Sequence, residues 1–537
     1  MESWNDLRPP RPAPDLRPVD DARISRRAGL VGGLAVVAVP MLAPRPAPAL
    51  LRLDDPVTAV RSGEVTTDSA VLWARARRPG RLMVDLESGG RRRRIRGPVA
   101  DERVDLTARV HVTDLRPGRD YVARMWFDHG HGRRTAGARL EFSTAPLHAA
   151  PQRVVWSGDV NGQGWGIDRS RGGMTTFAAI TALRPDLFVH NGDTVYADQP
   201  IAASVVTDDG STWVNEVTPE VMKVAETLAE FRGRHRYSLH DDNVRAFHAV
   251  VPSVVQWDDH ETANNWYPGE ILDDDQYTER RVDVLATRGR RAWQEYQPVP
   301  VRRLVPRGGD GFAPRRIYRR VPRGQHLDVF CLDMRSWRGA NSGNDPRTAF
   351  DRGILGRRQE EWLVEGLRRS TATWKLISAD QPISTPSNRV TDLDGPANGD
   401  DGRPIGREPE IARVLSAIKR HGVRNVVWVT TDVHYTAAHH YSPERAAFTD
   451  FDPFWEFVSG PLAASPFRTK DDLLDGTFGP EVVFSRGETS TRLDITPRPQ
   501  NQYFGQLAIA ADGVLTVTLH DGTGTVLWER ALEPETT

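Results

Sequence analysis

Four short fragments of this chain gather residue types that bind cations and move protons. They are Trp156-Ser157-Gly158-Asp159, His190-Asn191-Gly192-Asp193-Thr194-Val195-Tyr196-Ala197-Asp198, Trp257-Asp258-Asp259-His260-Glu261 and Thr431-Asp432-Val433-His434-Tyr435, and each directly follows a short apolar run. A mixed set of carboxylate, phenol and imidazole donors suits two hard or borderline cations held close together. Such a pair can clamp phosphoryl oxygens, lower the pKa of a bound water and offset charge on a leaving oxygen, which favours in-line phosphoester hydrolysis. One fragment alone carries little, because an Asp at a strand end is more often a helix or turn cap. His434 alone reads equally as a hydrogen-bonded core histidine. Four fragments in order, each with apolar residues upstream, are specific together.

The apolar runs must be the elements that position these side chains. Arg153 to Trp156, Asp186 to His190, Val254 to Trp257, His326 to Leu332, Lys375 to Ser378 and Val426 to Thr430 read as buried core strands alternating with helices, an α/β layout. Ligands collect at the ends of such strands. Leu355, Gln359, Trp362, Leu363 and Leu367 recur at helical spacing with Arg357, Arg358, Glu361 and Glu365 opposite, which predicts a packing helix. Near the C-terminus, Gln506 to Ala511, Val514 to His520 and Val526 to Arg530 are separated by Asp512-Gly513 and Gly522-Thr523-Gly524, the pattern of hairpins finishing a sheet.

Upstream, from Leu51 to about Pro146, short alternating runs separated by turns such as Pro79-Gly80 and Pro117-Gly118 predict a β-sandwich. It closes on Leu140-Glu141-Phe142-Ser143-Thr144-Ala145-Pro146, a strand running into proline and a natural boundary. The stretch from Gln199 to His240 reads as a loop before a helix near Met222 to Phe231, and is a candidate lid over the site. Asp392 to Arg403, rich in Asp, Asn and Gly, reads as a loop.

At 537 residues the chain exceeds what one core supports, so a large catalytic domain with an accessory domain is expected. Lys+Arg 71 balances Asp+Glu 72, which leaves no global field for nucleic acid. The run Arg91 to Arg94 is expected to be a solvated turn between strands. The single cysteine, Cys331, excludes an internal disulfide and a cysteine-based zinc site; its apolar setting predicts a core residue. Near the start, Ser25-Arg26-Arg27 leads into an apolar stretch from Val31 to Ala43 and then Ala47-Pro48-Ala49. That segment looks like a twin-arginine export signal with a small-residue cleavage site, and is shorter than the roughly 20 residues of a spanning helix. Export by the twin-arginine machinery to the cell envelope or medium is expected, with no permanent membrane span.

The four fragments and their order resemble the metallophosphoesterase superfamily, and specifically the PhoD-type alkaline phosphatase and phosphodiesterase family. Further landmarks are Asp55-Pro56, Ser62-Gly63-Glu64 and Val71-Leu72-Trp73 early in the chain, and Leu332-Asp333-Met334-Arg335-Ser336, Leu355-Gly356 to Trp362-Leu363 and Trp374-Lys375 later. The resemblance implies a metallophosphoesterase-type αββα sandwich preceded by an immunoglobulin/fibronectin-like β-sandwich. The domains would be 1–49 (export signal), 50–146 (β-sandwich) and 147–537 (catalytic, with C-terminal β-hairpins). It makes Asp193 a carboxylate bridging two metals, with Tyr196 and His434 on a ferric iron and Asp259 and Asp432 on a calcium. Better-known members carry a cysteine ligand in the first motif. Here Asp159 stands in that motif, a harder ligand, and the identity of the metals stays open.

His260 would sit beside the phosphate as a proton donor. Asn264 reads either as a phosphate-orienting residue or as part of a surface turn, and Arg335 either as a phosphate-binding fork or as the partner of Asp333 or another carboxylate. Asp258, Glu261 and Asp198 would contact the ligands from behind or cap the loops. The implied activity is hydrolysis of phosphate esters by a metal-activated hydroxide, serving phosphate scavenging. A phospholipase D-like diesterase and a catalytically inactive secreted binding protein are the two alternative readings.

Overall fold

The computed structural model describes residues 57–130, 134, 136–300, 316–343, 353–387 and 392–535. The expected export signal and Asp55-Pro56 lie outside these residues. The first seven strands are β1 (Val57–Gly63), β2 (Ala70–Ala76), β3 (Gly80–Ser88), β4 (Arg91–Ala100), β5 (Thr107–Val112), β6 (Asp120–Asp128) and β7 (Ala138–Ser143). β4-β3-β6-β7 make one sheet, and β1, β2 and β5 face it. Alternation explains the packing: Tyr121, Ala123, Met125 and Phe127 of β6 all enter the core that Leu72 and Val110 fill from the other side. This is the expected β-sandwich.

The arginine run departs from expectation. Arg91 to Arg94 lie within edge strand β4, not in a turn, and Arg94 Nε donates to Asp85 Oδ1 (2.7 Å) while Arg92 Nη2 donates to Asp85 Oδ2 (2.5 Å). Charged side chains on an exposed edge also block pairing with another sheet. The arginine spacing carries no signal of Asp85 across the strand pair.

The remaining strands are β8 (Gln152–Ser157), β9 (Leu187–Asn191), β10 (Ser204–Val206), β11 (Thr212–Val214), β12 (Ser253–Gln256), β13 (Arg319–Pro322), β14 (Leu327–Cys331), β15 (Trp374–Ser378), β16 (Val426–Thr430), β17 (Thr436–Tyr441), β18 (Phe454–Ser459), β19 (Pro480–Arg486), β20 (Tyr503–Ile509), β21 (Leu515–Asp521) and β22 (Val526–Leu532). The helices are α1 (Thr175–Ala182), α2 (Leu228–Ser238), α3 (Asp242–His248), α4 (Val282–Tyr296), α5 (Arg357–Arg369) and α6 (Glu408–Arg420). One large sheet runs β22-β21-β20-β8-β9-β12-β1-β2-β5, and the other β13-β14-β15-β16-β18-β17-β19. The C-terminal strands thus finish the first sheet beside β8.

Period-2 burial fixes the layers. Val154 and Trp156, Val329 and Cys331, Leu376, and Val427 and Val429 point between the sheets. Their neighbours turn outward: Val155 and Phe188 meet Phe177 of α1 and Phe247 of α3, while Phe330, Ile377 and Trp428 meet Leu363 of α5 and Ile411 and Leu415 of α6. The result is the αββα sandwich. Burial pushes the Cys331 thiol up to about 12, as befits a core residue.

The two parts share a sheet, since β1 pairs in parallel with β12 at Gly63 and Ser253. A Cβ on Gly63 would stand 2.5 Å from the Ser253 carbonyl oxygen, so glycine permits that approach. The segment 199–240 also corrects the sequence reading. It carries the β10–β11 hairpin, and its helix begins at Leu228 rather than near Met222, where Thr227 and Glu230 form a reciprocal capping box. Ile201, Val217, Val221 and Tyr237 are packed into the core with Phe177 and Phe188, so much of the segment belongs to the body.

Candidate metal centre

Every site fragment leaves the C-terminal end of a buried strand. Asp159 lies just past β8, Asp193 past β9, Asp258 and Asp259 past β12, and Asp432 and His434 past β16. Asn191 ties the two sheets at this end, its Nδ2 donating to the carbonyls of Ala379 (3.0 Å) and Val429 (2.9 Å). Asp159, Asp193, Asp432 and His434 adopt left-handed backbone conformations, with φ of 65°, 50°, 69° and 54°. L-residues adopt such conformations at a cost, and they persist where the surroundings over-determine them and cluster at functional sites. Gly192, at φ 111°, lets this turn close on the next loop, because a Cβ there would lie 2.5 Å from Asp258 Cβ.

Asp159, Tyr196 and His434 converge. His434 Nδ1 donates to the Ser465 carbonyl (2.5 Å), so in the neutral ring Nε2 carries the lone pair. Nε2 faces Asp159 Oδ1 at 3.2 Å and Tyr196 Oη at 2.8 Å, and Tyr196 Oη is 3.3 Å from that same carboxylate oxygen. Two acceptors and one hydroxyl cannot satisfy one another, whereas a cation satisfies all three. Among the described residues, Asp159 Oδ2 is buried without a hydrogen-bond partner. Phe467 stacks on the His434 ring at 4.3 Å and holds its plane.

The carboxylates continue the site. Ligand atoms of Asp193, Asp259 and His260 lie within 4.8 Å of one another, as do those of Asp258, Asp259 and Asp432. Asp259 Oδ1 is a second buried oxygen without a hydrogen-bond partner among the described residues. Burial, then the nearby charges of Asp259 and Asp258, pushes the Asp193 carboxyl well above its ordinary range. Burial and the same two carboxylates push Asp432 up likewise, and burial with Asp193 raises the Tyr196 phenol. So many acids in one dry place are stable as anions only beside positive charge, and this donor set fits cations.

His260 is held from two sides. Its ring stacks on Tyr196 at 3.9 Å, and its Nδ1 donates to Asp198 at 2.8 and 2.9 Å. Burial disfavours the imidazolium, but Asp198 and Asp259 outweigh it and raise His260 to about 10. Glu261 braces the loops by accepting from the Thr194 backbone and hydroxyl (2.7 and 2.6 Å) and from the Asp258 N–H (2.8 Å). Asn264 is half-buried, and its backbone N–H donates to Asp198 Oδ2 (2.9 Å). Arg335 is completely buried: its Nε donates to Asp258 and its Nη1 to Asp394 Oδ1 (2.8 Å), with Nη2 3.6 Å from Asp259 Oδ1. The carboxylate-pairing alternative therefore describes the observed fork, with Asp333 touching only the Arg335 backbone N–H (3.3 Å).

Two acids went unnoticed in the sequence. Asp380 follows β15, is fully buried, and among the described residues neither of its side-chain oxygens has a hydrogen-bond partner. The apolar run ending at Ser378 was its signal. Asp394 sits in the stretch read as a plain loop, yet it anchors Arg335 and Arg338. Burial opposes its ionisation, but those two guanidiniums hold it well below the usual carboxylate range.

The family model for the N-terminal domain of PhoD-like phosphatases matches residues 52–145, and that for PhoD-like phosphatases matches residues 154–518. This chain belongs to the PhoD-like phosphatase family. It is 28% identical over 451 residues to alkaline phosphatase D of Bacillus subtilis (strain 168), across 77% of this chain and 71% of that protein. A solved structure of PhoD superposes with a TM-score of 0.66 at 19% identity, covering 90% of this chain and 94% of the other. A purple acid phosphatase from yellow lupin (Lupinus luteus) seeds gives 0.55 at 13% identity over 89% and 74%, a likeness of fold. The family read from the motifs is borne out. The chain is a phosphoric ester hydrolase of metallophosphoesterase architecture, with metal cofactors implied by its relatives. Among the described residues no helix is long and apolar enough to cross a membrane.

Proposed function

We propose that this PhoD-like phosphatase is an exported phosphate-scavenging hydrolase of phosphate esters built around two cations. The supporting observation is the convergence of Asp159 Oδ1, Tyr196 Oη and His434 Nε2 within 3.3 Å of one another, with the histidine tautomer fixed from behind. These three residues would hold a ferric ion, for which carboxylate and phenolate oxygens are hard donors. Asp259 and Asp432 would hold a calcium ion, and Asp193 would bridge the pair. When bound, the cations supply Lewis acidity toward phosphoryl oxygens and lower the pKa of water. His260, oriented through its Nδ1 by Asp198, would place a proton donor beside the leaving oxygen, with Asn264 orienting the phosphate. Arg335 we assign to positioning Asp258 and Asp259. Residues 1–49 would be the export signal, 50–146 the sandwich and 147–537 the catalytic domain.

Parallel panels of monoesters and diesters, given to metal-replete protein with its metals quantified, test the function. Monoester turnover supports the phosphatase reading, and dominant diester turnover supports the diesterase reading. Absence of both from protein holding its metals would defeat the proposal. Export predicts a mature chain beginning beyond Ala49, readable by mass spectrometry.

Tyr196→Phe tests the iron assignment. A ferric phenolate gives a visible charge-transfer band, so the wild type is expected to be coloured and the variant colourless, with kcat/KM lowered at least about tenfold. A band of equal intensity in the variant would remove Tyr196 from the iron. Gly460→Ala perturbs the same site without deleting a donor. Its Cβ would lie 2.5 Å from Asp159 Oδ2, the unpartnered oxygen. The expected result is a loss of metal affinity or activity of about 10- to 100-fold with the circular dichroism spectrum unchanged. Full activity and metal content would show that Asp159 is not a ligand.

A further inference from the structure

A small internal cavity of about 30 Å³ lies where the sandwich meets the catalytic layers. Its polar lining includes Arg61 from β1, His190 from β9, His235 and Ser238 from α2, His248 from α3 and Ser253 from β12, and no carboxylate among the described residues lines it. Arg61 is 8% exposed. Its Nη1 donates to Gln297 Oε1 (3.0 Å) and to the Tyr296 carbonyl (3.4 Å), and its guanidinium carbon stands 5.6 Å from the centre of the Trp73 ring. Among the described residues it forms no ion pair.

A buried guanidinium without a carboxylate is costly, since buried charges require a counter-charge to offset lost hydration. Burial lowers Arg61 to about 9, which still leaves it cationic at neutral pH. Among the described residues, Arg61 Nε has no hydrogen-bond partner, and His190 Nδ1, His248 Nδ1 and Ser253 Oγ around it are likewise buried without partners. Burial depresses His190 to about 4 and His235 to about 3, and holds His248 well below its ordinary value. The three rings are therefore neutral; the His190 N–H is taken by the Gly192 backbone, and His235 and His248 each keep one N–H to donate. A cavity needs about 10–15 Å³ to hold a water. This one has room for a monatomic anion or a pair of waters, and is too small for a phosphate ester.

We infer that this cavity binds a small inorganic anion of halide size, with Arg61 as its counter-charge and the Ser253 hydroxyl and histidine N–H groups as further donors. The anion sits at the joint between the two parts of the chain, and its expected consequence is stability of that joint. Nothing in the inference depends on the metal assignments.

Bromide is the probe, because it replaces chloride and scatters anomalously. Crystals of the metal-loaded full chain in sodium bromide are expected to show a bromide peak within hydrogen-bonding distance of Arg61 Nε. In solution, exchanging chloride for gluconate at constant ionic strength is expected to lower Tm by about 2 °C or more, a difference that Arg61→Met abolishes. A cavity holding only water in the bromide crystals overturns the inference. So does a wild-type Tm indifferent to the anion, or an anion dependence that persists undiminished in Arg61→Met. The two wild-type measurements decide the matter even where the variant does not fold.

Discussion

Asp193→Asn is expected to lower kcat/KM on phosphate esters by at least about a thousandfold, roughly 4 kcal/mol of transition-state stabilisation, while leaving the metal-free protein as stable as wild type or more so. The two halves of this expectation have one cause. Asp193 is buried in a cluster with Asp159, Asp258 and Asp259, whose charges raise its pKa in the absence of cations. An amide removes that repulsion and keeps the Oδ1 that accepts the His260 N–H at 3.1 Å. It also removes the carboxylate proposed to bridge the two cations, and with it the geometry that would hold them at a common distance from a phosphoryl group. Kinetics on both ester panels, metal content, and thermal unfolding of chelated samples measure the two effects together. A variant that keeps more than a tenth of the activity with both cations bound would show that Asp193 does not bridge. One that loses activity together with metal-free stability would point to a structural role instead.

The site was legible in the sequence to the extent that its parts are local. An apolar strand followed by a turn rich in Asp, Asn and His can be read in a dozen residues, and all four fragments carry that form. The strands behind them read as buried apolar runs alternating with helices, which carries an α/β layout with the site at the strand ends, whereas the αββα layering is what the family resemblance implies and the structure shows in the alternation of Val154, Val155 and Trp156. What escaped depends on partners distant in the chain. Asp394 is separated from Arg335 by 59 residues and from its own role by a loop composition that signals only irregular backbone. Asp380 is a strand-end acid without a histidine or tyrosine beside it, and a lone acid of that kind resembles a cap. The Arg61 cavity collects side chains from six elements, none in a recognisable motif. The segment 199–240 differs in another way, since Thr227 and Glu230 spell a capping box that starts the helix at Leu228 rather than near Met222.

Exhaustive chelation of the wild type is expected to abolish hydrolysis and to lower Tm by several degrees, on the order of 5–10 °C, with both restored by returning the metals. Ligands bound only by the native state stabilise it by about 4 kcal/mol per site when present at a thousand times their Kd. Here the effect is reinforced by the acids that the cations shield. Without cations, Asp193 and Asp432 are driven by burial and by each other's neighbours toward their protonated forms, and any that stay ionised repel. Arg335 cannot replace the cations, because its guanidinium is already shared between Asp258 and Asp394. The decisive comparison is with Asp193→Asn, which is expected to bind the metals weakly and begins with one fewer buried acid. Its Tm should respond to chelation much less than that of the wild type, and the difference between the two responses measures the coupling between Asp193 and the cations. Equal responses in calorimetry would place the stabilising metal elsewhere in the chain and separate it from the catalytic centre.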